Sequence, residues 1–310
     1  MRRIAGLVLL LTFAATAAWS QTVIDLGPGG GVRSKTWKDY ERDGRMPAQQ
    51  LADSLAYRDC LTRAFNALAT DSLAQAETLF RRALKLMPEQ PANAIVHYEL
   101  GLIAGAQNRY REAADCLTQA LDARPEMADA RRQRAYAYLE MNQPERTLRD
   151  CNYLLDDAPA DTTALFLRAA AEVKLRHYPA AQRDLTELLR LAPGHLNGRV
   201  SLAIVKQRLG RPREALEELN RLVTMARGNA DCLAARADVE VELGMIEAAR
   251  ADLDEALRLR PDDAGLLLQR ADVLTRGGHR GAARADLDRA VELGVPRASL
   301  NAQYGALNRR

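Results

Sequence analysis

The stretch "HYELGLIAGAQNRYREAADCLTQALDARP", residues 97–125, sets small side chains against large ones in a fixed order. Ala113 is followed by Leu117 four residues on, by Ala120 three further, and by Pro125 five beyond that. The same order recurs as Ala76, Phe80, Ala83, Pro88 in "AETLFRRALKLMPEQ" (76–90), and as Ala249, Leu253, Ala256, Pro261 in "ARADLDEALRLRPDD" (249–263). Steps of three and four place these residues on one face of a helix, and the proline prevents the helix from continuing. Small residues on a buried face let a second helix approach closely.

With that proline at position 32 of a 34-residue unit, repeats start at 57, 94, 128, 162, 196, 230 and 264. They are contiguous except for Pro91-Ala92-Asn93 after the first. Position 8 reads Ala64, Gly101, Ala135, Ala169, Ala203, Ala237 and Ala271. Position 20 reads Ala76, Ala113, Thr147, Ala181, Ala215, Ala249 and Ala283, and position 28 is always Leu or Val. Position 15 reads Asp71, Asn108, Asn142, Arg176, Gly210, Gly244 and Gly278. Six of these tolerate the left-handed conformation that ends a helix, and Arg176 does not. Position 32 is Arg227 in repeat five and Val295 in repeat seven, where Pro296 follows one place late. Each repeat therefore predicts a helix, a turn and an antiparallel helix.

This pattern resembles the tetratricopeptide repeat (TPR) family, with residues 97–125 carrying its signature at nearly every site. The family's aromatic at position 24 is replaced there by Leu117, and its Trp at position 4 is absent throughout. The resemblance implies an all-α fold, a right-handed α-α superhelix of seven helix pairs over 47–297, the first helix of each pair lining the concave face. Such a core lengthens rather than thickens, so a long chain avoids splitting into domains. The segment "ASLNAQYGALNRR" (298–310) aligns with a first helix alone, Gly305 falling on position 8, and reads as a capping helix. At the other end "PAQQLADSLA" (47–56) extends the first helix of repeat one.

Residues 1–20 run from Arg2-Arg3 through an apolar stretch, Ile4 to Phe13, to small residues ending Ala18-Trp19-Ser20. That order is a secretory signal cleaved before Gln21, and the uncharged stretch is too short for a comfortable membrane span. The expected mature chain is exported, periplasmic or secreted, with no integral membrane segment. Residues 21–46 read as a flexible, glycine-containing tether. Within them Gly29 to Thr36 spells G-x-x-x-x-S-K-T, one residue short of a phosphate loop. Such a loop works between a strand and a helix, and no strand-period segment follows here. Ser34 also replaces the glycine that lets the loop close, so a nucleotide-binding enzyme is the disfavoured reading.

Lysine plus arginine number 44 against 41 acidic residues, a net charge of +3. Acids and bases interleave along helix faces instead of collecting into a basic patch, so nucleic acid is not an expected partner. His97, His177, His195 and His279 have no metal-ligand spacing, and no nucleophile motif is present; no cofactor, metal or catalytic residue is expected. Of four cysteines, Cys116 and Cys151 sit at positions 23 and 24 of adjacent second helices. They are either small buried residues or a disulfide. Arg at position 7 occurs with Asp at position 23 in Arg134/Asp150, Arg168/Asp184, Arg236/Asp252 and Arg270/Asp286. Repeats two and five have Leu100/Cys116 and Leu202/Glu218, while Arg63/Leu79 breaks the rule. A charge near a helix seam needs a partner, so these read as structural ion pairs.

The resemblance places positions 2, 5, 9 and 12 of the first helices in the groove. Positions 5 and 9 supply Leu61, Phe65, Tyr98, Leu102, Arg132, Tyr136 and Phe166 from the first four repeats, and Asp238 and Asp272 from the last two. Aromatics and arginine are favoured anchors for a protein or peptide partner. The expected function is thus a non-enzymatic binding scaffold or adaptor of the cell envelope. The alternative is a self-associating assembly unit. No repeat pairs Lys or Arg at position 5 with Asn at position 9, which disfavours clamping of a C-terminal carboxylate.

Overall fold

In the computed structural model, which describes residues 23–26, 32–35 and 48–308, a left-handed residue ends the first helix of every repeat. The φ angles are 56° at Asp71, 61° at Asn108, 56° at Asn142, 62° at Arg176, 75° at Gly210, 76° at Gly244 and 81° at Gly278. Arg176 thus adopts the conformation its side chain opposes. The reason lies in the backbone: His177 N–H donates to the Glu172 carbonyl at 2.8 Å, the same bond that Arg109 makes to Ala104 and Met245 to Glu240. This closing bond satisfies a carbonyl at the helix end and forces the residue before it to turn left.

Those turns separate α1 (Ala48–Ala69) from α2 (Leu73–Leu86), α3 (Asn93–Ala106) from α4 (Tyr110–Ala123), and α5 (Ala128–Glu140) from α6 (Pro144–Asp157). The later pairs are α7 (Thr162–Lys174) with α8 (Tyr178–Leu191), α9 (Leu196–Arg208) with α10 (Pro212–Met225), α11 (Ala230–Glu242) with α12 (Ile246–Leu259), and α13 (Ala264–Arg276) with α14 (Arg280–Glu292). A 3-10 turn, Arg297–Leu300, leads into α15 (Asn301–Asn308). The chain divides into two compact units at Met141/Asn142, in the turn of repeat three.

In the N-terminal unit α1 packs on α2, α2 on α3, α3 on α4 and α4 on α5. Ala64 and Ala76 at the α1–α2 contact are fully buried, and Phe80 fills the space beside them with Leu61, Val96 and Ile103. In repeat two, Gly101 takes the position-8 place because Leu117 lies over it: a Cβ there would stand 2.6 Å from Leu117 Cγ. The inserted Asn93 is buried; its amide closes the preceding loop on the Met87 and Pro88 carbonyls (2.8 and 2.7 Å), and its oxygen accepts from Tyr57 Oη at 2.9 Å.

The C-terminal unit repeats the scheme from α6 to α15. First helices α7, α11 and α13 start on side-chain caps from Asp161, Asn229 and Asp263, each accepting from backbone N–H groups of the first turn. His195 caps α9 with Nδ1, which accepts from Gly198 N–H at 2.9 Å, so the ring carries its proton on Nε2. Leu300 and Leu307 close the end of the core against Ala271, Leu274 and Leu287. Gly305, aligned with the small position 8, would meet nothing within 4 Å if it carried a Cβ.

Arginine binds neighbouring repeats together. Arg168 forks onto Asp184 at 2.6 and 2.7 Å and also donates to Asn152 of the preceding repeat at 3.0 Å. Arg236 does the same with Asp252 (2.6 Å twice) and Asn220 (3.0 Å), and Arg270 with Asp286 (2.8 and 2.7 Å) and Asp254 (2.8 Å). In repeat five, where position 7 is Leu202, Glu218 takes its cation from Arg199 at 2.5 Å instead. Arg63 turns to Asp59 on its own helix. All four cysteines are buried free thiols, so Cys116 and Cys151 are packing residues and not a disulfide.

Two strands, β1 (Val23–Leu26) and β2 (Val32–Lys35), pair antiparallel with Val23 opposite Lys35 and Ile24 opposite Ser34. Val23, Ile24 and Val32 in these strands are β-branched residues that favour extended backbone. The rest of that segment and the signal 1–20 lie outside the described residues. Among the described residues no helix is long and apolar enough to cross a membrane.

Candidate functional site

The first helices α1, α3 and α5 carry the candidate residues of the N-terminal unit. Leu61 and Tyr98 turn out to be buried, which corrects their assignment to a binding surface. Leu61 belongs to the core beneath Phe80, and Tyr98 packs with Leu117, Leu121 and Ala130. Burial pushes the Tyr98 hydroxyl up to about 12, with Asp129 and Glu99 adding to the effect and Arg132 opposing it. Phe65 is half-buried and meets Phe80 edge to face, with centroids 5.2 Å apart. Leu102 is half-buried beside Tyr98.

Arg132 and Tyr136 stand nearer the solvent. Arg132 donates to Asp129 at 2.5 Å. Tyr136 is 42% exposed and meets Tyr110 of the preceding turn edge to face, centroids 6.1 Å apart. Tyr110 was not a sequence candidate because it lies at position 17, outside the first helix; its hydroxyl donates to Asn108 Oδ1 at 2.8 Å. The pair presents two rigid rings with polar tips, which can bury area at small entropic cost.

In the C-terminal unit Phe166 is half-buried and stacks at a tilt on the His195 ring, with centroids 5.2 Å apart. Helix α11 presents Asp238 and α13 presents Asp272. Neither is a bare charge. Asp272 accepts from Arg276 Nε at 2.8 Å, and both Asp238 oxygens lie 3.3 Å from Gln269 Nε2. Water reaches the Asp238 side chain, yet protein closely surrounds its carboxyl. This enclosure raises its pKa, Arg208 opposing and Asp272 reinforcing the shift. Asp231 likewise holds Arg260 at 2.5 Å. Arginines that the position rule did not mark thus pair with Asp231 and Asp272, while Asp238 is held by Gln269.

Among the described residues no group of three or more His, Cys, Asp or Glu is placed to hold a metal ion. Ser34 and Lys35 lie inside a β ladder, whereas a phosphate loop would set them at the start of a helix.

Tetratricopeptide repeat models match residues 56–126, 98–162, 200–264 and 234–301, more than half of the chain. The chain belongs to the tetratricopeptide repeat family. The TPR fold extends through repeat four, most of which those matches leave out, because α7 and α8 pack there like the other pairs. A TPR protein of Parabacteroides merdae superposes with a TM-score of 0.75 at 22% identity, over 82% of this chain and 100% of that one. A TPR protein of Thermus thermophilus gives 0.53 at 20% identity, over 58% and 98%. A chain of the Cut9–Hcn1 hetero-tetramer of the APC/C gives 0.61 at 12% identity, over 81% and 55%. These likenesses show the fold. No curated protein matches the chain in sequence. TPR solenoids in general are protein-binding scaffolds without catalytic machinery of their own.

Proposed function

We propose that the chain is a non-enzymatic adaptor that holds a protein or peptide partner on the face formed by its first helices. The observation that carries this is the Tyr136–Tyr110 pair: an exposed aromatic on a first helix, set against a ring that itself packs partly on the core. Aromatic surface of this kind is what binding hot spots are made of. Phe65, Leu102 and Arg132 border the same face in the N-terminal unit; Phe166, Asp238 and Asp272 belong to the corresponding face of the C-terminal unit. The order of charge, apolar run and small residues in 1–20 supports an exported, periplasmic or secreted location. Cross-linking of the chain in its native envelope, followed by recovery of the attached protein, tests this reading. Loss of capture in Tyr136→Ala supports it, and capture of nothing beyond the chain itself contradicts it.

Self-association is a second reading with an observation of its own. Leu51 and Leu55, one turn apart at the start of α1, are exposed. Light scattering decides: concentration-dependent oligomers abolished by Leu55→Lys would favour it over the adaptor reading.

A further inference from the structure

Glu99 is a buried carboxylate that the core does not explain. It is only 6% exposed, on α3 between the buried Tyr98 and Leu100. The buried acids Asp184, Asp252 and Asp286 each hold an arginine, and Glu240 faces Arg236. Glu99 has no such partner among the described residues. Burial alone pushes its carboxyl up to about 7, with no neighbouring charge contributing. Its oxygens also differ from Glu172 Oε2 and Glu240 Oε2, which are sealed from solvent without a partner. The Glu99 oxygens are not sealed in that way.

Register tells where that opening lies. Glu99 occupies position 6 of its repeat. The equivalent residue of repeat seven, Gln269, reaches position 9 of the preceding first helix, Asp238. By the same register Glu99 would face Phe65, position 9 of α1, at the border of the first-helix face. Tyr98 and Leu102 flank it on its own helix. The result is an acid in an apolar, aromatic setting, at a place where a bound chain would run.

We propose that Glu99 is the anchor for a cationic side chain, arginine in preference to lysine, of the polypeptide bound on the first-helix face. The inference rests on the reading of that face as a binding surface. A guanidinium is weakly hydrated, forks onto a carboxylate and stacks on aromatic rings, so it loses less on entering this site than an ammonium does. Binding would ionise Glu99 and supply the partner that the chain lacks, which is how a buried charge becomes stabilising.

The test uses the full chain, immobilised, and four pools of nonapeptides that are random except for Arg, Lys, Leu or Glu at the centre. The Arg pool should be retained about tenfold or more above the Leu and Glu pools, with Lys between. In Glu99→Gln, an isosteric change that keeps the side chain neutral as burial favours, the Arg and Leu pools should be retained alike. Equal retention of all pools by the wild type, or an Arg preference that survives Glu99→Gln, overturns the assignment. If Tyr136→Ala lowers retention while Glu99→Gln does not, the first-helix face stands and the cationic anchor falls. If neither change matters, both fall.

Discussion

Single residues set the turns and the closest contacts. Arg176 holds φ at 62° with a side chain that pays a steric penalty there, while the same place in repeats five to seven is glycine. Arg176→Gly should therefore raise stability by about 0.5–1 kcal/mol, part of the relief being returned as unfolded-state entropy. Chemical denaturation of the two proteins checks this. Gly101 is the opposite case: a methyl would strike Leu117 inside the packed seam. Gly101→Ala should cost about 1–3 kcal/mol despite the better helix propensity of alanine. Gly305→Ala, with open space around it, should instead be neutral or slightly stabilising. The residue identities made most turns legible, because Asp, Asn and Gly favour the left-handed state. Arg176 was not legible, since the closing bond from His177 to Glu172 imposes the turn against local preference.

At the scale of elements, arginine clamps in repeats four, six and seven join the second helix to the one before it. Co-occurrence along the sequence disclosed Arg236 with Asp252, yet not the third ligand, Asn220, because an amide at that position follows no rule of charge. Asp252→Ala should cost about 1–3 kcal/mol by stranding Arg236. Removing the solvent-exposed Glu255, which meets Arg258 at 2.5 Å, should leave the denaturation midpoint unmoved. Glu240 lies 3.9 Å from Arg236, and burial, aided by Asp252 and opposed by Arg236, pushes its carboxyl up to about 7. Glu172 is raised to about 7 in the same way beside Asp184. Their folded values exceed the unfolded value of about 4.3. The stability they contribute is therefore present in full below that value and is lost as pH rises through about 7. Urea midpoints at pH 5 and pH 8 should differ less in Glu240→Gln than in the wild type. An unchanged difference would show that Glu240 carries no proton at neutral pH.

At the scale of the whole molecule, periodicity revealed the family, but not how deep each side chain sits. Leu61 and Tyr98 stand at position 5, Phe65 and Tyr136 at position 9, and the positional rule sets all four in the groove. Packing by neighbouring helices, which that rule does not include, buries the first two. Tyr110, outside the first helix, and the arginines beside Asp231 and Asp272 came only from the structure. The account then rests on one claim, that binding belongs to the first helices. Two exposed tyrosines test it with equal chemistry: Tyr136 on α5, a first helix, and Tyr153, 51% exposed on α6, a second helix. The measurement is the affinity of a partner recovered by cross-linking for Tyr136→Ala and Tyr153→Ala. The account predicts a loss of about 1 kcal/mol or more for Tyr136→Ala and little change for Tyr153→Ala. Full affinity in Tyr136→Ala, with binding lost in Tyr153→Ala, would contradict it.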